Sequence, residues 1–268
     1  MKNYEQKATQ IRTDIIKMLH RANGSFGGSA MSCADIIAVL FHGHMRFNPS
    51  DPYAPERDMF ILSKGHAGSA LYAALSSVGV IDSSELESYG LNGTKMVMHP
   101  KRGTYPYVDT STGALGHGIC LAVGSALAAR VLRSDARTFV LLGDGECNEG
   151  SVWENAALAS KQKLDNLVVI VDRNGLQSCG RDEEVLDYGD MGEKFSAFSF
   201  NVINIDGHDC DAIDGAFKAA AEYKGKPTAI IANTIKGKGI SYMEDRLEWH
   251  YKSPNDEQLK IALEELRI

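Results

Sequence analysis

The chain carries no basic surplus. It has 28 Lys and Arg against 35 Asp and Glu, a net charge of -7. Without excess cations there is little to neutralise phosphates, which argues against non-specific nucleic-acid binding and anionic-membrane binding. Cysteine is scarce. Cys33, Cys120, Cys147, Cys179 and Cys210 are scattered, odd in number and never in C-x-x-C spacing, which excludes a disulfide framework or a thiolate zinc site and suits reduced thiols. No apolar run is long enough to span a bilayer, and "MKNYEQKATQIRTDII" at the start is polar and amphipathic, without the apolar stretch of a secretory signal. The expected location is the cytoplasm. There is no repeat, no low-complexity tract and no Pro- or Ser-rich linker, and the seven prolines mark no domain boundary. The whole chain, 1–268, is therefore expected to form one domain.

What is present is the mixture of an ordinary globular protein, 44% hydrophobic and 24% charged. Short apolar runs stand out: "MFIL" (59–62), "FVLL" (139–142), "LVVIV" (167–171), "NVINI" (201–205) and "TAIIA" (228–232). They are rich in β-branched residues and lack strict alternation, as expected for strands buried on both faces. Helical stretches are expected over 116–133, 149–162, 210–223 and 255–267. This alternation predicts an α/β fold, a doubly wound, mostly parallel sheet with helices on both faces. In such sheets ligands bind beyond the carboxyl ends of the strands. Gly143-Asp144-Gly145 and Asp172-Arg173-Asn174-Gly175 both fall at that edge.

Neither familiar phosphate loop fits. Gly145 and Gly150 have P-loop spacing, but Ser151 stands where lysine is required. Gly143 and Gly145 start a dinucleotide fingerprint, but Asn148 takes the third glycine's place. Asp144, Glu146 and Glu149 also crowd one turn. A carboxylate about 4 Å from a phosphate is repelled by roughly 4 kcal/mol at an effective dielectric near 20. A divalent cation between them reverses the sign. Mg²⁺ takes hard oxygen ligands, one or two carboxylates with phosphate oxygens and water. Asp144 offers a carboxylate, Asn174 an amide oxygen and Leu176 a backbone carbonyl to one ion. The alternative is an acidic turn that only caps a helix.

The stretch "GDGECNEGSVWENAALASKQKLDNLVVIVDRNGLQ" (143–177) resembles the thiamine-diphosphate motif, and specifically the N-terminal, diphosphate-binding half of transketolase. "SKGHAGSALYAAL" (63–75), "MHP" (98–100), "STGALGHGICLAVGSALAAR" (111–130) and "NTIKGKGISYMEDRLEWH" (233–250) follow in the family's order. The resemblance implies thiamine diphosphate with Mg²⁺ or Ca²⁺ as cofactors. The ion would be held by Asp144, Asn174 and Leu176. Gly145 would contact the diphosphate, Gly113 and Leu115 would line the cofactor pocket, and Glu149 would lie at a subunit interface in the acid network behind the cofactor. His66, His99 and His250 would project into the substrate channel as catalytic groups, with His66 and His250 also near the cofactor. Imidazole suits proton movement near neutral pH. His250, between Trp249 and Tyr251, has the alternative of a packed aromatic cluster. His20, His42, His44 and His208 carry no motif and are read as structural.

The implied reaction moves a two-carbon ketol unit from a ketose to an aldehyde, with sugars or sugar phosphates as substrates. Two departures stand out. Phe26 takes the place of a histidine that in the family reaches the substrate, which implies either a family variant that uses another residue or a donor or acceptor with an apolar or bulkier group there. No pyrimidine-binding or C-terminal domain follows. A separate partner chain is therefore expected to supply the glutamate that faces the cofactor's pyrimidine ring, in a heterotetramer of two copies of each chain. The rival readings are the α subunit of a 2-oxo acid dehydrogenase and a non-catalytic cofactor-binding scaffold.

Overall fold

The protein is described by a computed structural model that covers residues 3–48, 50–54, 56–186 and 189–267. Five strands form its sheet: β1 (Met59–Leu62), β2 (Thr138–Gly143), β3 (Leu167–Arg173), β4 (Asn201–Asp206) and β5 (Thr228–Asn233). Their spatial order is β1-β2-β3-β5-β4, and every neighbouring pair is parallel. The strands fall on the expected apolar runs, each extended by at most two residues.

The register explains why the runs do not alternate. Leu62, Leu141, Ile170, Ile230 and Ile203 lie abreast and point to one face. Ile61, Val140, Val169, Ala229 and Val202, one residue earlier, point to the other. Each face carries its own apolar core, so both side-chain sets of a central strand must be apolar. The expectation for "NVINI" needs correction. β4 is an edge strand with no fully buried residue, and Asn201 and Asn204 are tolerated there because only one side is paired.

Helices cover both faces. α1 (Tyr4–Ala22), α2 (Gly27–Ser32), α3 (Ala34–Val39), α4 (Gly68–Ser77), α9 (Cys210–Glu222) and α10 (Asp256–Glu265) contribute to the first core. α5 (Gly118–Val131), α6 (Gly150–Lys161) and α8 (Met191–Ala197) contribute to the second. The short α7 (Asp182–Val185) buries nothing and lies in the connection after β3. Local chemistry sets several starts. Asp209 caps α9 by accepting from the N–H groups of Asp211 and Ala212 at 2.9 and 3.1 Å. Asn255 and Gln258 form a reciprocal capping box on α10. Among the described residues, no helix is long and apolar enough to cross a membrane.

Under the carboxyl edge of the sheet lies a buried polar cluster. Lys64, just after β1, pairs with Asp172 of β3, and both are essentially inaccessible to solvent. Ser32 donates to Asp172 Oδ2 at 2.6 Å, Thr234 donates to Oδ1, and Lys64 Nζ also donates to the Ser29 carbonyl at 2.7 Å. Burial works against the Lys64 charge, but Asp172 outweighs it and holds the ammonium pKa above its ordinary value. The pair ties the ends of β1, β3 and β5 to α2.

Removing one member strands a buried charge. Asp172→Ala is expected to lower unfolding free energy by about 3–5 kcal/mol, and the paired replacement Lys64→Met with Asp172→Leu by distinctly less. Urea denaturation of the three proteins measures this; equal losses would show that the ion pair is not what matters there.

Candidate active site

Beyond the carboxyl ends of β1, β2, β3 and β5 the connecting loops enclose a cavity of about 300 Å³. The turn after β2 supplies Asp144, which is buried. Its Oδ1 accepts from the Gly145 N–H at 2.8 Å. Its Oδ2 accepts from Asn174 and Gly175 N–H, both at 2.7 Å. The carboxylate therefore does more than cap a turn: it joins the loop after β2 to the loop after β3. Asn174 Oδ1 accepts from the Leu176 N–H at 3.2 Å, a local turn that orients the amide. The helix-capping alternative fails for Glu149, which precedes α6 but makes no side-chain capping bond.

Glu146, two residues on, is buried and bonded to a different loop. Its Oε1 accepts from Gly116 N–H at 2.8 Å and from Ser63, and its Oε2 accepts from Gly143 N–H at 3.1 Å. It braces the loop at 113–117 against the sheet edge. Gly113, with φ +153°, sits where a Cβ would come within 3.2 Å of the His99 ring. At Gly145 a Cβ would press on the Gln177 side chain at 3.0 Å. Both positions let backbone line the cavity closely.

The cavity brings together Asp144, Gly145, Asn174, Leu176, Gly113, Leu115, His66, His99 and His250. Residues far apart in the chain thus meet at one edge. Glu149 does not line it; it is exposed at the start of α6. The alternative for His250 is half true. Trp249 is buried against Tyr242 at 4.9 Å between ring centroids, whereas His250 turns to the cavity, 5.5 Å from His66 and 4.7 Å from Tyr251. The histidines read as structural are bonded elsewhere: His208 to Asp35 at 2.7 Å, His44 to Asp214 at 2.8 Å and His20 to Asp256 at 2.8 Å. His42 contacts Ser77 at 3.0 Å.

Reading the sequence missed the two lysines of the cavity, Lys64 and Lys236. Both lie inside quoted motif blocks, "SKGH" and "TIKGKG", each just past a buried apolar run, and that position was the available signal. Lys236 Nζ donates to the Leu176 carbonyl at 2.8 Å and the Gln177 carbonyl at 3.3 Å, and meets His250 Nδ1 at 3.2 Å. Three acceptors match the three donors of an ammonium. With Nδ1 accepting, a neutral His250 carries its proton on Nε2. Burial, and then the nearby Lys64, pull Lys236 down to about 8, while Asp144 and Asp172 hold it up.

The donor set fits a hard divalent cation. Asp144, Asn174 and Leu176 offer a carboxylate, an amide carbonyl and a backbone carbonyl, all oxygen. Among the described residues no group of three or more His, Cys, Asp and Glu side chains forms a metal cage, so mixed donors are the only route at this edge. Burial, then the carboxylates of Asp182 and Asp172, push Asp144 up to about 7. A water-poor carboxylate of that kind is short of positive charge, which a cation would supply.

Known proteins match this arrangement. A family model described as the thiamine diphosphate binding domain of transketolase matches residues 4–266. The chain belongs to that transketolase family. It is 37% identical over 262 residues to an apulose-4-phosphate transketolase subunit of Phocaeicola vulgatus, covering 98% of this chain and 93% of that one. It is 36% identical to the 6-deoxy-6-sulfo-D-fructose transketolase subunit SqwG of Clostridium sp. (strain MSTE9), covering 98% and 95%. The solved transketolase from Leishmania mexicana superposes with a TM-score of 0.93 at 29% identity, over 99% of this chain and 41% of that one. The chain therefore spans about two fifths of such a transketolase and almost the whole of the two relatives named as transketolase subunits. The parallel sheet with helices on both faces is the fold of the transketolase N-terminal domain.

The half-buried imidazoles of His66 and His250 carry a pH consequence. Burial, then Lys236 and Lys64, lower His250 to about 4. Burial, then Lys64 and His250, lower His66 well below the ordinary value. The folded chain keeps both rings neutral where the unfolded chain, with ordinary values near 6.5, protonates them. The unfolded state then binds more protons, so stability falls as pH drops below about 6.5 and keeps falling toward 4. Asp144, raised to about 7, acts in the opposite direction over this window, so the imidazole contribution is read as a difference: between pH 7.5 and 4.5 the His250→Asn protein is expected to lose less melting temperature than the parent. An unchanged slope in that variant would count against the assignment.

Proposed function

We propose that this chain is the diphosphate- and metal-binding subunit of a thiamine-diphosphate-dependent transketolase that works with a second, separate chain. The single observation that carries the reading is the meeting of Asp144, Asn174 and Leu176 with His66, His99 and His250 in one cavity. Asp144, Asn174 and the Leu176 carbonyl would hold Mg²⁺ or Ca²⁺ against the cofactor's diphosphate, with Gly145 alongside. Gly113 and Leu115 would line the rest of the cofactor's berth. The bound cofactor supplies a nucleophilic carbon able to accept and release a two-carbon ketol unit.

The protein's own side chains set the conditions. Lys236 and Lys64 bring positive charge to a site meant for an anionic ligand. That charge and burial keep His66 and His250 neutral, so His66 can take up a proton from a substrate hydroxyl and return it, while His250, whose lone pair meets Lys236, has a proton to donate. The His250 proton lies on Nε2, the nitrogen not engaged by Lys236. His99, exposed at the rim, is the third group able to meet a sugar hydroxyl.

The partner is inferred from relatives that are themselves named as transketolase subunits, of which this chain spans 93% and 95%. It would contribute the glutamate for the pyrimidine ring, with two copies of each chain and Glu149 near their contact. The substrates are read as a ketose and an aldehyde of the sugar or sugar-phosphate kind. The names of the relatives, apulose 4-phosphate and 6-deoxy-6-sulfo-D-fructose, point to acidic, modified sugars. A cytoplasmic location is part of the same reading.

The test is calorimetry and turnover on the reconstituted complex. Asp144→Ala is expected to weaken cofactor binding by more than about 100-fold, as chelation of the divalent ion also does. His66→Ala is expected to leave cofactor affinity nearly intact and lower turnover by roughly 10²–10⁴-fold. Cofactor affinity untouched by Asp144→Ala would refute the metal site, and turnover untouched by His66→Ala would favour a scaffold.

A further inference from the structure

We propose that His208, which stands outside the cavity, is a positioning residue for Lys236: it anchors the loop after β5 so that the ammonium is held at the cavity wall, where an anionic ligand meets it. The inference rests on the transketolase reading above and goes beyond it by giving a role to a histidine that no motif marks.

The chain leaves the sheet at Thr234, whose N–H donates to the Arg173 carbonyl at 2.9 Å and whose hydroxyl donates to Asp172. Beyond it two anchors flank Lys236. On one side the Ile235 N–H donates to His208 Nε2 at 2.8 Å. On the other the Gly237 N–H donates to the Gly28 carbonyl at 2.9 Å. The second anchor joins main chain to main chain. The first rests on one imidazole.

That imidazole is held in one state and one orientation. A backbone N–H can only donate, so Nε2 carries no proton and the ring proton sits on Nδ1. Nδ1 donates to Asp35 Oδ2 at 2.7 Å. Asp35 is buried and accepts both arms of Arg12, Nη1 on Oδ1 at 2.9 Å and Nη2 on Oδ2 at 2.5 Å. Burial acts to raise the Asp35 pKa, but His208 and Arg12 outweigh it and hold the carboxyl below its ordinary value. A carboxylate behind an imidazole fixes the tautomer and the ring plane. Here both ring nitrogens are engaged by protein and His208 does not line the cavity, so its part is to position and not to react. The series Arg12, Asp35, His208 and Ile235 runs from α1 through α3 and the turn after β4 to the residue before Lys236.

Lys236 has little slack. Its side chain is buried and passes so close to Gly28 that a Cβ there would come within 2.9 Å of Lys236 Cγ. Its three acceptors lie on the Leu176 and Gln177 carbonyls and His250 Nδ1. Releasing the Ile235 N–H frees the backbone one residue from that ammonium, and a displacement of about 1 Å is enough to spoil such a set.

Thiamine diphosphate binding by the two-subunit complex at saturating Mg²⁺, measured by calorimetry, reads the placement of Lys236. His208→Leu is expected to weaken binding by about tenfold, the worth of one buried hydrogen bond. His208→Gln, whose side-chain oxygen can reach the place of Nε2, is expected to stay close to the parent. His208→Asn is too short to reach Ile235 and serves as a second variant without the acceptor should the leucine protein fold poorly. Lys236→Met is expected to weaken binding as well, and in that background His208→Leu is expected to cost nothing further. A histidine that merely held the fold together would cost the same in both backgrounds. That result, or binding unchanged by His208→Leu and His208→Asn, would overturn the role of His208 while the transketolase reading stands. A complex that binds no thiamine diphosphate at all would sink that reading and this inference with it.

Discussion

The Asp144 carboxylate, buried between two loops, is the contact on which the site depends. One oxygen accepts two N–H groups of the β3 loop and the other accepts from its own turn. Those bonds place Asn174 and Leu176 beside Asp144 before any ligand arrives. Three oxygen donors from two strands are then held by backbone geometry, which limits the entropy lost on binding. The same bonds do not fully compensate for lost hydration, and this raises the carboxyl pKa. A dehydrated acid at a strand end costs stability in an empty chain and would be an advantage in one that takes up a cation.

Around that acid the charges are layered. Lys64 is locked to Asp172 below the cavity, Lys236 reaches across its wall to the Leu176 carbonyl, and Glu146 lies behind the 113–117 loop. The two ammonium groups and burial both act against protonation of His66 and His250. A neutral imidazole beside fixed positive charge offers a substrate hydroxyl a hydrogen-bond donor or acceptor without adding a further cation. Stability near the cavity is thus traded for a particular protonation state, and the polar cluster under the sheet edge offsets part of the strain by fastening β1, β3 and β5 to α2.

Much of this was legible in the chain. The five apolar runs became five parallel strands because a strand with a core on each face needs unbroken apolar residues, a local requirement that leaves a mark in sequence. "NVINI" misled because a run alone does not say whether a strand is central or at the edge; β5 entering between β3 and β4 decided that. The caps of α9 and α10, Asp209 and the Asn255–Gln258 pair, act over the same short range. The helices α1, α2 and α3, which share one face of the sheet with α4, α9 and α10, were not among the expected helical stretches.

The sequence by itself determined the alternation of strands and helices, the acid between two glycines at a strand end, and the family to which the chain belongs. These rest on periodicity, turn chemistry and spacing, which act over a few residues. Tertiary structure decided the rest. It set Phe26 among three histidines, gave Lys236 its three acceptors, kept Glu149 at the surface and buried Glu146 in its stead. Each of those outcomes depends on residues far apart in the chain coming within a few ångströms, and on how much water is excluded where they meet. Neither quantity is encoded in any short stretch of sequence.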